Sequence, residues 1–178
     1  MTLKEAIKDY HEAAEKSKFA TLLLSGNITS EEYADLLCNM LEIYKCLEEH
    51  CDAHHLLDEV PGIKRSDLIR QDLEELNQPQ AKLQPMTTRY VEYLSKLSKF
   101  NPKLLLAHVY VRHFGDLYGG QIVKSKVPGT GRMYEFVERA ELITKMRSIL
   151  TDDLGDEAKR AMNSALVLFE ELANEHSL

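Results

Sequence analysis

The sequence predicts an all-α fold, a helical bundle built as one domain over residues 1–178, and three observations carry that prediction. Apolar residues recur three and four positions apart through every long segment. No run alternates apolar and polar residues as a half-buried strand would. Proline and glycine fall mostly between the periodic segments, and the length suits a single hydrophobic core.

Each element has its own local signal. Thr2 with Glu5 forms a capping box, and Leu3, Ile7, Tyr10 and Ala14 continue at helical spacing, so a first helix runs to about Ser17. Ser25-Gly26-Asn27 is the turn that follows. Thr29 and Glu32 repeat the box ahead of a long second helix carrying Leu36, Leu37, Met40, Ile43, Tyr44 and Leu47 toward His55. Pro61-Gly62 breaks the chain, and Ser66 is expected to cap a third helix ending near Leu76. After a loop from Pro79 to Pro85, a fourth helix spans about Thr88 to Phe100. Asn101 and Pro102 start a fifth helix, expected to continue to about Val127 before Pro128-Gly129-Thr130-Gly131. Two more helices, about Tyr134–Leu150 and Asp156–Glu175, complete the bundle.

Composition narrows the function classes. The net charge of −7 removes the overall electrostatic footprint of a nucleic-acid binder. The first eight residues are too charged for a signal peptide, and no stretch approaches the roughly 18 apolar residues of a membrane span. Cys38, Cys46 and Cys51 show neither a CxxC pair nor disulfide-like spacing, which fits a reducing compartment. The expectation is a cytoplasmic monomer that binds neither nucleic acid nor membrane.

The fifth helix contains Gly115, Gly119 and Gly120 at interior positions, each costing about 1 kcal/mol against alanine. Gly115 and Gly119 lie one turn apart on one face and would bare a strip of backbone, while Gly119-Gly120 permits a kink. Close helix packing accounts for such glycines equally well, but Asp116 beside the strip favours a site. On the first helix Lys4, Lys8, His11 and Glu15 share a face. Glu15 lies one turn from His11, where it can fix the imidazole tautomer and leave Nε2 to bind a metal. A solvated face with an ordinary ion pair is the plainer reading of that stripe. A flat, metal-centred ligand with anionic edges would use both strips together, and heme has that description.

At these residues the sequence resembles the heme oxygenase family. Ala107-His108-Val109-Tyr110-Val111-Arg112-His113-Phe114-Gly115-Asp116-Leu117-Tyr118-Gly119-Gly120-Gln121 is similar to the family's distal-helix signature. Leu3 through Glu15 resembles its proximal helix, Leu41–Glu49 its second helix and Leu168–Leu172 its final one. The resemblance implies that His11 ligates heme iron and that Glu15 hydrogen-bonds that histidine. It implies that Lys4, Lys8, Tyr110 and Arg147 lie near the propionates. Gly115, Gly119 and Gly120 would lie over the heme, and Asp116 would organise water in the distal pocket together with Tyr44 and Arg112. The implied reaction cleaves heme, as substrate and cofactor, with O2 and external electrons to biliverdin, carbon monoxide and ferrous iron. Ferredoxin or a reductase is the implied donor. The resemblance also implies a catalytic core without a hydrophobic C-terminal anchor. Tyr118 departs from the signature, where serine is common, and Ile143 stands where a basic residue is expected, with Lys145 as the nearest substitute.

Two other readings follow from the residues. A heme carrier or sensor would keep His11 and the lysines without needing Asp116. His50, Cys51, His54 and His55 could pair at i,i+4 spacing around zinc or copper, although a polar helix end explains them more simply.

Overall fold

The computed structural model describes residues 1–178, which form nine α-helices joined by short 3₁₀ turns and one π-helical turn. The helices are α1 (Leu3–Glu15), α2 (Lys18–Ser25), α3 (Ser30–Ala53), α4 (Ser66–Leu76) and α5 (Pro85–Phe100), then α6 (Leu105–Val109), α7 (Gly115–Lys124), α8 (Arg139–Ile149) and α9 (Gly155–Glu175). A continuous cluster of buried side chains draws on every one of them, from Leu3 and Phe19 to Leu168 and Leu172.

Both capping boxes form. Thr2 Oγ1 accepts from the Glu5 amide at 3.2 Å while Glu5 accepts from the Thr2 amide at 2.8 Å, and Thr29 and Glu32 repeat the exchange. Helix α1 then buries Leu3, Ile7 and Ala14 against α9, where a Cβ on Gly155 would stand 3.3 Å from Ala6 Cβ. That packing leaves the opposite face of α1, with Lys4, Lys8, His11 and Glu15, exposed.

Several expected boundaries are corrected. The segment between Ser17 and Gly26 is a helix of its own, α2, started by Ser17 and stopped by Gly26 at φ 82°. It is held by Phe19, fully buried and 5.6 Å from the Phe169 ring. Ser66 does not cap α4. The first amides of that helix are met instead by Glu48 from α3, which accepts from the Arg65 and Ser66 amides and the Ser66 hydroxyl. Helix α5 starts at Pro85, three residues early, because Asn39 accepts from the Gln84 amide and the Thr87 hydroxyl and fixes the turn there. Before α8, Arg132–Tyr134 is a separate 3₁₀ turn.

The expected fifth helix is divided into a 3₁₀ turn at Pro102–Leu104, α6, a π-helical turn at Tyr110–Phe114, and α7. Gly119-Gly120, which permits a kink, lies within regular helix, and the irregular turn of the distal segment sits just before Gly115.

Candidate distal and proximal heme site

The three glycines differ once the chain is folded. A Cβ on Gly115 or Gly119 would meet nothing within 4 Å, so these two form an open strip of backbone. A Cβ on Gly120 would lie 2.5 Å from Cδ1 of Tyr134, so Gly120 serves close packing and does not belong to the strip. Gln121 Nε2 donates to the Tyr134 carbonyl at 2.8 Å and ties the same turn to α7.

Asp116 follows the π turn and accepts a 2.5 Å hydrogen bond from the Tyr44 hydroxyl on α3. Burial pushes the Asp116 carboxyl up to about 6, against the opposing pull of the Tyr44 hydrogen bond and of His113, Arg112 and Arg65. Burial, with the nearby Asp116 charge, holds the Tyr44 phenol far above its ordinary range, so Tyr44 remains a donor. The pair is thus one carboxyl able to change its proton near neutrality and one phenol fixed as its partner.

Arg112 was expected to bond within the Asp116 network. Its side chain instead bonds Ser164 Oγ on α9 at 3.0 Å and Tyr90 on α5 at 3.5 Å, so it acts on Asp116 through its charge. Tyr90 continues to His108 Nδ1, and His108 Nε2 lies 2.9 Å from Glu157 Oε1, which also accepts from Tyr93. Burial lowers the affinity of His108 for a proton despite its Glu157 partner. This network binds the distal segment to α5 and α9.

The proximal residues make few contacts. His11 Nδ1 lies 3.5 Å from Glu15 Oε1, with both side chains more than half exposed. Lys4 and Lys8 extend along the same exposed face, on which His11–Glu15 is the only ion pair. Helix α2, which follows α1 directly, packs against α7 and brings the proximal and distal segments into one neighbourhood.

Tyr110 is partly exposed, and Tyr110, Phe114 and Tyr118 form an aromatic ladder along the distal segment, with centroids 6.0 and 4.9 Å apart. Tyr118 engages Arg147, whose guanidinium bonds its hydroxyl, and Arg139, whose guanidinium carbon lies 5.6 Å from its ring. Arg147 is therefore held by Tyr118, and Lys145, the expected substitute at the Ile143 position, is paired with Glu141 at 3.0 Å. The histidines of the other candidate cluster have separate partners: His50 with Ser95, His54 with Ser98 and His55 with Asp58. Burial raises the Cys51 thiol to about 12, and no three His, Cys, Asp or Glu side chains gather as a metal site requires.

Sequence reasoning missed Glu48, His113, Tyr90 and Glu157, which hold the distal segment from other helices. The i,i+3 spacing of His113 and Asp116 was the only local signal available for any of them.

The donor set fits heme on two observations of this structure. An imidazole with one nitrogen turned to a carboxylate leaves the other for iron, and an open glycine strip leaves room for a flat ring. Comparison with known proteins agrees. The family described as heme oxygenase matches residues 1–171. Heme oxygenase 1 of Nostoc is 29% identical, covering 96% of this chain and 84% of its own length. Rabbit (Oryctolagus cuniculus) heme oxygenase 2 is 28% identical over 96% of this chain, which spans 64% of the rabbit protein. The crystal structure of heme oxygenase-1 from the cyanobacterium Synechocystis, in complex with heme, superposes with a TM-score of 0.85 at 26% identity, covering 97% of this chain and 91% of that one. The chain belongs to the heme oxygenase family and is an oxidoreductase of that kind.

Proposed function

We propose that heme binds between the exposed face of α1 and the Gly115–Gly119 strip, as substrate of an O2- and electron-dependent cleavage to biliverdin, carbon monoxide and ferrous iron. The observation that carries this reading is the pairing of an open glycine strip with Asp116, a carboxyl raised to about 6 and fixed by a 2.5 Å bond from Tyr44. When bound, heme supplies the iron at which oxygen is reduced and the ring that is cut.

In this reading His11 ligates the iron through Nε2, and Glu15 orients the imidazole through Nδ1. A neutral histidine ligand would lack the electron push that a thiolate gives to heterolytic oxygen–oxygen cleavage at the iron. Gly115 and Gly119 let the distal backbone approach the ring closely and restrict what stands over it. Asp116 holds and delivers protons through distal water, with Tyr44 fixing its carboxylate and Arg112 supplying a positive field from behind. Lys4 and Lys8 meet the propionates as exposed cations, with Arg147 and Tyr110 on the distal side.

Electrons come from an external donor, and the cations at the heme edge suit an acidic protein such as a ferredoxin. The reading extends to a cytoplasmic monomer of one domain, with each proposed site residue supplied by the same chain. Single turnover tests the assignment: hemin-loaded protein given ascorbate under oxygen should lose its Soret band and gain bilin absorption. Persistence of the Soret band without bilin would overturn the oxygenase reading and leave a heme carrier.

A further inference from the structure

Two arginines on α8 stand out in a chain of net charge −7. Neither Arg139 nor Arg147 has a carboxylate partner, and Glu141, the one acid between them, is taken by Lys145. Both arginines are held instead by neutral groups on α7. The Tyr118 hydroxyl accepts from Arg147 Nη2. The Arg139 guanidinium carbon lies 5.6 Å from the centre of the Tyr118 ring, while Arg139 Nε donates to the Leu117 carbonyl at 3.2 Å. Tyr118 is itself fixed, edge-on to Phe114 with centroids 4.9 Å apart. Helix α8 buries only Leu142 and Met146, so these ties fix where its two cations stand.

We propose that Tyr118 is a positioning residue that determines specificity: it fixes the Arg147 and Arg139 guanidiniums to the helix of the glycine strip, where they grip the carboxylate edge of heme and set the ring's rotation in its plane. The inference rests on the heme reading above. It assigns Tyr118 a task that the mechanism does not give it, and it adds Arg139 to the anion-binding side chains.

The chemistry of the hold supports this. A carboxylate partner would cancel the charge of an arginine, whereas a phenol or a carbonyl fixes the side chain and leaves the charge available. One bond to Tyr118 leaves Arg147 its other N–H donors, and the Leu117 bond leaves both terminal nitrogens of Arg139 free. Holding a long side chain in place beforehand removes the entropy cost of ordering it on a ligand. Tyr118 lies beside Gly119 and three residues after Gly115, so the cations and the strip belong to one rigid element. Heme carries both carboxylates on one edge, and cations fixed on one side of the strip therefore favour one rotation of the ring. Two departures from the family signature then act together. A serine at position 118 would offer Arg139 no ring and would reach less far toward Arg147. Arg139, one turn before Ile143, supplies a cation that Ile143 lacks.

The test compares hemin with hemin dimethyl ester, whose carboxylates are capped, in titrations of the full chain. Tyr118→Phe keeps the ring against Phe114 and Arg139 and removes only the hydroxyl. It should weaken hemin binding about three- to tenfold and leave ester binding unchanged. Arg147→Met and Arg139→Met should likewise weaken hemin alone, and Tyr118→Phe should add nothing once Arg147→Met is present. Proton NMR of the heme methyl groups in the ferric cyanide complex reads the rotation. The parent should show one dominant set of methyl signals and Tyr118→Phe a second or mixed set. Equal losses for hemin and its ester, or an unchanged methyl pattern in Tyr118→Phe, would overturn the proposal while leaving the heme reading intact. A parent that takes up no hemin would overturn that reading itself, and this inference with it.

Discussion

The two candidate faces of the heme site are built in opposite ways. On α1 the proposed iron ligand stands on an exposed face, with one long contact to Glu15 and packing only on the reverse side of the helix. On the distal segment almost every polar group is tied to a helix distant in sequence: Asp116 to α3, Arg112 to α5 and α9, His113 to α3. A metal ligand needs one free nitrogen and tolerates motion until iron fixes it, whereas a proton-handling carboxyl must be held before substrate arrives.

The contrast predicts where substitution disrupts the fold and where it disrupts only the ligand. The largest effect is expected on the distal side from Glu48→Ala, which strands the His113 ring, two amides and a hydroxyl. Urea unfolding should show a loss of about 3–5 kcal/mol. Asp116→Asn sets the next. Its folded carboxyl titrates at about 6 against an ordinary value of 3.8, so the folded state binds the extra proton in that window. The Asp116 contribution to stability therefore falls as pH rises through the window and is level above it. Relative to the parent, Asp116→Asn should gain about 1–3 kcal/mol between pH 4 and pH 7, a range that allows for the partial exposure of the carboxyl.

The glycines sharpen the comparison within one helix. Gly120→Ala forces a methyl against Tyr134 and should cost about 1–3 kcal/mol. Gly119→Ala meets open space and should stabilise the unliganded protein by up to about 1 kcal/mol while weakening hemin binding. Equal thermal shifts in the two variants would erase the distinction between packing glycine and strip glycine. The smallest effect belongs to α1: Glu15→Ala should change unfolding free energy by less than about 0.5 kcal/mol, because the His11–Glu15 pair is exposed.

The same division explains what could be read from the sequence. Both capping boxes, the periodic stripes and the four polar residues of α1 are local patterns, and the structure forms the elements they announce. Helix α2 escaped because eight residues give barely two turns of periodicity, although Ser17 and Gly26 marked its ends. The distal network was mostly illegible. Glu48 and His113 lie 65 residues apart, and only tertiary packing brings them together. The glycines were visible as a group, but which of them faced open space depended on Tyr134, fourteen residues beyond Gly120. The π turn has no sequence mark at all; nothing in Tyr110–Phe114 distinguishes it from ordinary helix.

The central claim is that His11 on the exposed face of α1 binds the iron of a heme lying against the glycine strip. A hemin titration of the parent and His11→Ala, followed through the Soret region, tests it most directly. The account predicts a saturable histidine-ligated spectrum at one heme per chain in the parent. It predicts loss of that spectrum and at least tenfold weaker binding, about 1.4 kcal/mol, in His11→Ala, with the spectrum restored by added imidazole. An unchanged Soret band and affinity in His11→Ala would contradict it.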